Sequence, residues 1–299
     1  MISLDWINTR YPIVYKVLFV YSIFGILLLF FLPFRLNTLF QILIPRIFLF
    51  GVPLLLSIYT FGGYIEKHKT LILQLFPLIL LSFFYNETIL YNSFLDFQFD
   101  FFLYDLDENI FGFQPAYEFS KNFNSHIFSE LMCFGYISYY FLIFFTPIVL
   151  YRVSNKMLEY SVFMIVVSFI FYYAIFSVVP AAGPQFFYKT PLNEFRSSGI
   201  FGNLLTLIHR YGEVPAAAFP SSHVGLAVII LILLFKKQKW YFLLFLPLTL
   251  MLILSTVYIR AHYAVDVFGG LLSAPIVYYF VDILYVKLNK IRSYGFGNR

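Results

Sequence analysis

"MLEYSVFMIVVSFIFYYAIFSVV", residues 157–179, decides the class of this chain. A helical membrane span needs roughly 20 apolar residues, because in hydrocarbon every backbone polar group must be satisfied within the segment. The same pattern recurs, and the expected spans lie near 13–32, 47–64, 70–90, 127–151, 157–179, 221–235, 239–259 and 262–286. Pro45 and Arg46 precede the second of these, and Asn86 and Glu87 interrupt the end of the third. The 299 residues are 61% hydrophobic and 12% charged, with mean hydropathy +0.82. A soluble domain has no way to solvate such a surface, and a disordered chain is far more polar. The expected fold is an all-α polytopic membrane protein with about eight transmembrane helices.

Lys and Arg fall between the apolar runs and set an orientation. Lys67 and Lys69, Arg152 and Lys156, then Lys236, Lys237 and Lys239, and finally Lys287, Lys290 and Arg292 all fall on one side if the spans alternate. That side is expected to be cytoplasmic, with both termini. The opposite face receives residues 91–126, 180–220 and the turn near 260. The net charge of +5 thus reads as a topology signal rather than nucleic-acid binding. Arg10, Lys16 and the C-terminal basic run read as cytoplasmic anchors. Cys133 is the single cysteine, which excludes an internal disulfide and a cysteine-rich metal site. "MISLDWINTR" lacks a small-x-small cleavage site, so the first span is read as retained. Residues 1–126 read as accessory spans with an acidic and aromatic outer loop, 127–286 as a membrane core, and 287–299 as a basic tail.

Two histidines open spans on the outer side. In "STVYIRAHYAVDVFGG" (255–270), His262 is followed four residues later by Asp266, about one turn on and on the same helical face. A carboxylate there accepts the imidazole Nδ1–H, fixes the tautomer and leaves Nε2 as a nucleophile or base. Read alone, the pair is equally a buried polar bridge between helices. In "AFPSSHVGLAV" (218–228), Pro220 suits a helix entry and Ser221 or Ser222 an N-cap. The unpaired first-turn N–H groups can hold an anion, and His223 would sit beside it as a proton donor. Alone, this is a capped helix with an incidental imidazole. Two helix-head histidines on one face, one with a carboxylate, point to chemistry. Gly269 and Gly270 permit close helix approach. The "DLDEN" cluster (105–109) reads as a solvated interfacial or lid segment rather than a metal site, and His126 as a cap or interface residue.

"FPSSHVG" (219–225) and "STVYIRAHYAVDVFGG" resemble the second and third signature motifs of the type-2 phosphatidic acid phosphatase superfamily. "PAAGPQFF" (180–187) stands where the first is expected, so the resemblance covers roughly residues 127–286. It implies a six-helix core bundle and a phosphohistidine mechanism that requires no metal or other cofactor. His262 is then the nucleophile, His223 the general acid and Asp266 the orienter. Ser221, Ser222, Gly183, Pro184, Arg260 and Lys189 are the expected substrate-binding residues.

The departures bear on substrate. The phosphatase branch has a Lys and an Arg-Pro in its first motif and Ser-Arg at the start of its third. Here "PAAGPQ" and Ser255-Thr256 stand instead. Arg260 is the nearest substitute cation, with Lys189, Arg196 and Arg210 as loop candidates. The pattern is more similar to the inositol phosphorylceramide synthase branch, and "DENIFGFQP" (107–115) is similar to its bacterial relatives. Sphingomyelin synthases share the same His, His and Asp logic. The resemblance implies phosphoryl transfer from a phospholipid or lipid-phosphate donor. The acceptor is water in a phosphatase and a lipid or polyol hydroxyl in a head-group transferase. A catalytically silent lipid-phosphate binder and a transporter are the alternatives. The expected location is a bacterial inner membrane with the site facing the periplasm.

Overall fold

The computed structural model describes residues 12–31, 36–58, 62–92, 99–188, 199–212 and 215–294. Among them the chain is helical, with no strand. In chain order the helices are α1 Val14–Leu28, α2 Leu36–Ile58, α3 Tyr64–Asn92, α4 Phe99–Phe111, α5 Pro115–Asn122 and α6 His126–Tyr151. They continue as α7 Asn155–Phe176, α8 Pro184–Phe187, α9 Ile200–Gly212, α10 Ser222–Lys237, α11 Lys239–Tyr258 and α12 Ala264–Tyr294. Six of them (α2, α3, α6, α7, α11 and α12) are long and apolar enough to cross a membrane. The other two expected spans, α1 and α10, are shorter, at 15 and 16 residues.

Local chemistry explains the ends of α10. Ser221 caps its start, its Oγ accepting the Val224 N–H at 3.3 Å, and Lys236 and Lys237 lie in the last turn, where the helix dipole favours cations. Prolines lie inside α2, α3, α6, α11 and α12. Membrane helices tolerate them because neighbours re-satisfy the freed carbonyls.

Two compact units divide the chain. One gathers residues 1–87, 147–170 and 279–299. Here Tyr160 donates to Asp282 Oδ1 at 2.6 Å and Tyr15 to the Leu73 carbonyl at 2.8 Å. This unit also corrects the expected second and third spans. Helix α2 begins at Leu36 rather than 47 and runs straight through Pro45 and Arg46, and α3 runs on through Asn86 and Glu87. The reason is charge pairing. Arg46 binds Glu87 with both guanidinium nitrogens, the longer contact being 2.9 Å, and both side chains are buried. Arg46, read as preceding its span, and Glu87, read as interrupting the end of its own, neutralise each other, so neither charge ends its helix.

The second unit comprises residues 88–146 and 171–278 and carries every described residue of the site. Its interior includes Tyr136, Tyr172, Leu226, Ile229, Tyr258 and Tyr263, all at most 1% exposed. Trp240, Leu243 and Leu250 of α11 are exposed, as lipid-facing residues would be.

Candidate active site

Backbone packing brings the two signature stretches together. Gly270 lets α12 approach the head of α10, because a Cβ there would stand 2.6 Å from the Ser221 carbonyl oxygen. At Gly269 a Cβ would meet the Phe219 ring at 2.9 Å. The Ser221 N–H donates to the Asp266 carbonyl at 3.0 Å, which locks the register of the two helix heads. Between α11 and α12, the amides of Ala261 and His262 both donate to the Thr256 carbonyl at 3.1 Å. Arg260 makes the reversal, with φ of 61°.

This turn aims the imidazole of His262 at His223, with His262 Nε2 3.2 Å from His223 Nδ1. His262 Nδ1 lies 2.9 Å from the Ala218 carbonyl and 3.4 Å from Asp266 Oδ2. A carbonyl oxygen only accepts, so Nδ1 carries the proton and Nε2 of the neutral ring presents its lone pair. The nearer Nδ1 acceptor is therefore the Ala218 carbonyl, with Asp266 just beyond it. Asp266 Oδ2 also accepts the Tyr263 N–H at 2.8 Å, which anchors the carboxylate to the loop that carries His262. His262 and Asp266 are buried. Tyr136 and Tyr139 of α6 lie against the His223 ring, with centroids 4.8 and 4.3 Å away.

The loop before α8 closes another side. Gly183 has φ of 93°, and a Cβ on it would lie 2.7 Å from the Ala261 carbonyl oxygen. Only glycine fits both constraints. Pro184 opens α8 and is buried, and the Gln185 N–H donates to the Arg260 carbonyl at 2.8 Å. The Arg260 guanidinium is buried, with Nε and Nη2 donating to Ser120 Oγ at 3.1 and 3.0 Å, and it sits 4.7 Å over the Tyr117 ring. Helix α5 thus holds this cation two residues before His262. Lys189 and Arg196 lie outside the described residues. Arg210 is exposed on α9, and His126 is exposed at the head of α6.

Sequence reasoning missed two aspartates. Asp107, in the cluster read as solvated, is fully buried, and its Oδ2 and Oδ1 accept the N–H groups of Ala264 and Val265 at 2.9 Å each. Asp105, Glu108 and Asn109 beside it are exposed. Burial pushes the Asp107 carboxyl above its ordinary range, while the two backbone donors pull it back. Asp100, also buried, accepts the N–H groups of Ala182 and Gly183 at 2.8 Å each and the Tyr263 hydroxyl at 3.2 Å. Burial first, and then the Asp100 charge, hold the Tyr263 phenol above its usual value, so it remains a donor. The signal was present in the spacing. Asp100, Leu103 and Asp107 recur at i, i+3 and i+7, the buried stripe of an amphipathic helix with carboxylates at both ends.

A family model described as PAP2 superfamily matches residues 103–280, more than half of the chain. The chain belongs to the PAP2 superfamily. No curated protein and no solved structure matches it. The PAP2 match takes in both histidine motifs, Asp266, the first-motif loop and most of α4. This PAP2-superfamily protein is an integral membrane protein of the lipid phosphate phosphatase and phosphotransferase type.

Proposed function

We propose that the protein transfers a phosphorylated head group between lipids through a phosphohistidine on His262. The single observation that carries the reading is the facing histidine pair, with the His262 proton held on Nδ1 by the Ala218 carbonyl. In the first step the Nε2 lone pair attacks phosphorus and the P–O bond to the leaving alcohol breaks. His223 gives that oxygen its proton. In the second step an acceptor hydroxyl loses its proton to His223 and attacks phosphorus, and the P–N bond breaks. Asp266 and the Ala218 carbonyl stabilise the charge that develops on the His262 ring. Ser221 and Ser222 at the head of α10, together with Lys189 and Arg260, form the phosphate-binding set in this reading, while Gly183, whose N–H goes to Asp100, and Pro184, which has none, shape the loop beside it.

The acceptor decides between transferase and phosphatase. The first-motif loop "PAAGPQ" carries no cation, which favours head-group transfer of the inositol phosphorylceramide synthase type over hydrolysis of a doubly charged phosphomonoester. The site faces the outer side of the membrane, which for a bacterial inner membrane is the periplasm, and both termini are cytoplasmic. This orientation rests on the placement of Lys and Arg between spans.

The test supplies purified protein with phospholipids labelled in the head group, with and without ceramide, diacylglycerol or inositol. A new labelled lipid that needs the alcohol supports transfer. Free phosphate identifies a phosphatase, and a released phosphorylated head group a phospholipase-like hydrolysis. Absence of all three overturns the reading and leaves a lipid-phosphate binder.

A further inference from the structure

Helix α4 lies outside both histidine motifs, yet its two buried carboxylates reach the residues just after the proposed nucleophile. Asp107 takes the N–H groups of Ala264 and Val265, and Asp100 takes the Tyr263 hydroxyl. Residues 263, 264 and 265 immediately follow His262. Asp100 also takes the N–H groups of Ala182 and Gly183 in the first-motif loop, itself tied to the His262 turn by the Gln185–Arg260 bond.

Each carboxylate therefore fills a pair of adjacent backbone N–H groups, one pair at the head of α12 and one in the loop before α8. Paired N–H groups of this kind attract any anion, a substrate phosphate included. Left open beside His262, they would compete with the head of α10, where His223 stands. Filled by side chains seven residues apart on one helix, they bind the turn to a rigid element with charge-assisted bonds.

We propose that Asp100 and Asp107 are positioning residues: they hold the stretch after His262, Asp107 through its backbone and Asp100 through the Tyr263 hydroxyl, and occupy the two anion-receptive sites beside it, so that a substrate phosphate settles at the head of α10. The proposal rests on the phosphoryl-transfer reading for its kinetic consequence and on the hydrogen-bond geometry alone for the clamp.

Removing the Asp107 side chain beyond Cβ leaves a gap the size of a small carboxylate between two N–H donors. The full-length Asp107→Ala variant in detergent is expected to melt below wild type and to regain stability in formate but not in chloride at equal ionic strength. On whichever phosphate ester the wild type turns over, its kcat falls about 100-fold with little change in KM, and formate restores several-fold of that loss. Inorganic phosphate inhibits the variant more strongly than wild type by entering the freed pair. Asp107→Asn, which keeps one acceptor oxygen, falls between the two, and Asp100→Ala provides a second variant should Asp107→Ala fail to fold. Equal responses to formate and chloride in the variant that folds, or a wild-type kcat in Asp107→Ala, overturn the proposal. If wild type turns over no phosphate ester, the functional reading fails instead, and the formate-specific rise in Tm decides the clamp by itself.

Discussion

His262 Nε2 and His223 Nδ1 stand 3.2 Å apart, in hydrogen-bond contact, so no phosphorus atom fits between them as they stand. His262 is buried and held by the Ala218 carbonyl, whereas His223 is the less buried of the two and rests against the rings of Tyr136 and Tyr139. On the proposed mechanism, His223 is the ring that swings aside when a phosphate arrives.

His262→Ala removes the attacking atom. Turnover is expected to drop to background, with no phosphate-derived adduct on the protein, while the variant still purifies as a folded membrane protein. Mass spectrometry of wild type quenched in acid-free conditions during turnover checks the converse, a phosphate adduct on residue 262. Full activity in the variant sinks the mechanism.

His223→Asn deprives the leaving alkoxide of its proton. For a lipid alcohol the expected loss in kcat is about 10²–10⁴-fold. A nitrophenyl ester, whose leaving group needs no proton, narrows that loss to about 10-fold or less. An equal loss on both substrates assigns His223 to binding rather than proton transfer.

Arg260→Lys keeps the charge but loses the fork on Ser120 and the stack on Tyr117. On the reading that Arg260 binds phosphate, its kcat/KM is expected to fall about 10-fold, and that of Arg260→Ala by about 100-fold or more. Unchanged kinetics in the alanine variant shift the phosphate cation to Lys189 or Arg196.

Gly183→Ala places a Cβ 2.7 Å from the Ala261 carbonyl oxygen on a residue with φ of 93°. The strain should cost about 1–3 kcal/mol and displace the turn before His262, so Tm and activity fall together. Gly62→Ala, with nothing within 4 Å of its added Cβ, serves as the neutral control.

Arg46→Met removes the bidentate ion-pair partner of the buried Glu87, which should destabilise the protein by about 3–5 kcal/mol. The double variant Arg46→Met with Glu87→Leu removes both charges and is expected to recover most of that loss in a detergent unfolding assay. A double variant as unstable as the single one contradicts the pairing argument used for α2 and α3.

Sequence periodicity and composition were enough for the class of the protein, and motif spacing singled out the histidines and the aspartate now proposed as its site. Apolar run length is a local property, and hydrocarbon leaves the backbone few alternatives to helix. The capped head of α10 and the His262–Asp266 spacing are equally local, since both depend on neighbours within a turn. The start of the second span was misread at Pro45 and Arg46 because a charge was judged without its partner, which lies 41 residues away.

Tertiary structure alone decided what those residues touch. His223 and His262 are 39 positions apart, and their contact depends on Gly269 and Gly270 letting two helix heads close on each other. Asp107 lies 158 residues from Val265, and although the Asp100, Leu103 and Asp107 spacing marks a buried stripe, nothing local tells which distant N–H groups its carboxylates meet. The amino-acid sequence thus named the histidines. Only packing determined that one points its lone pair at the other, and that an aspartate from a loop helix takes the two N–H groups just after His262, because hydrogen-bond partners so far apart in sequence are selected by the fold as a whole.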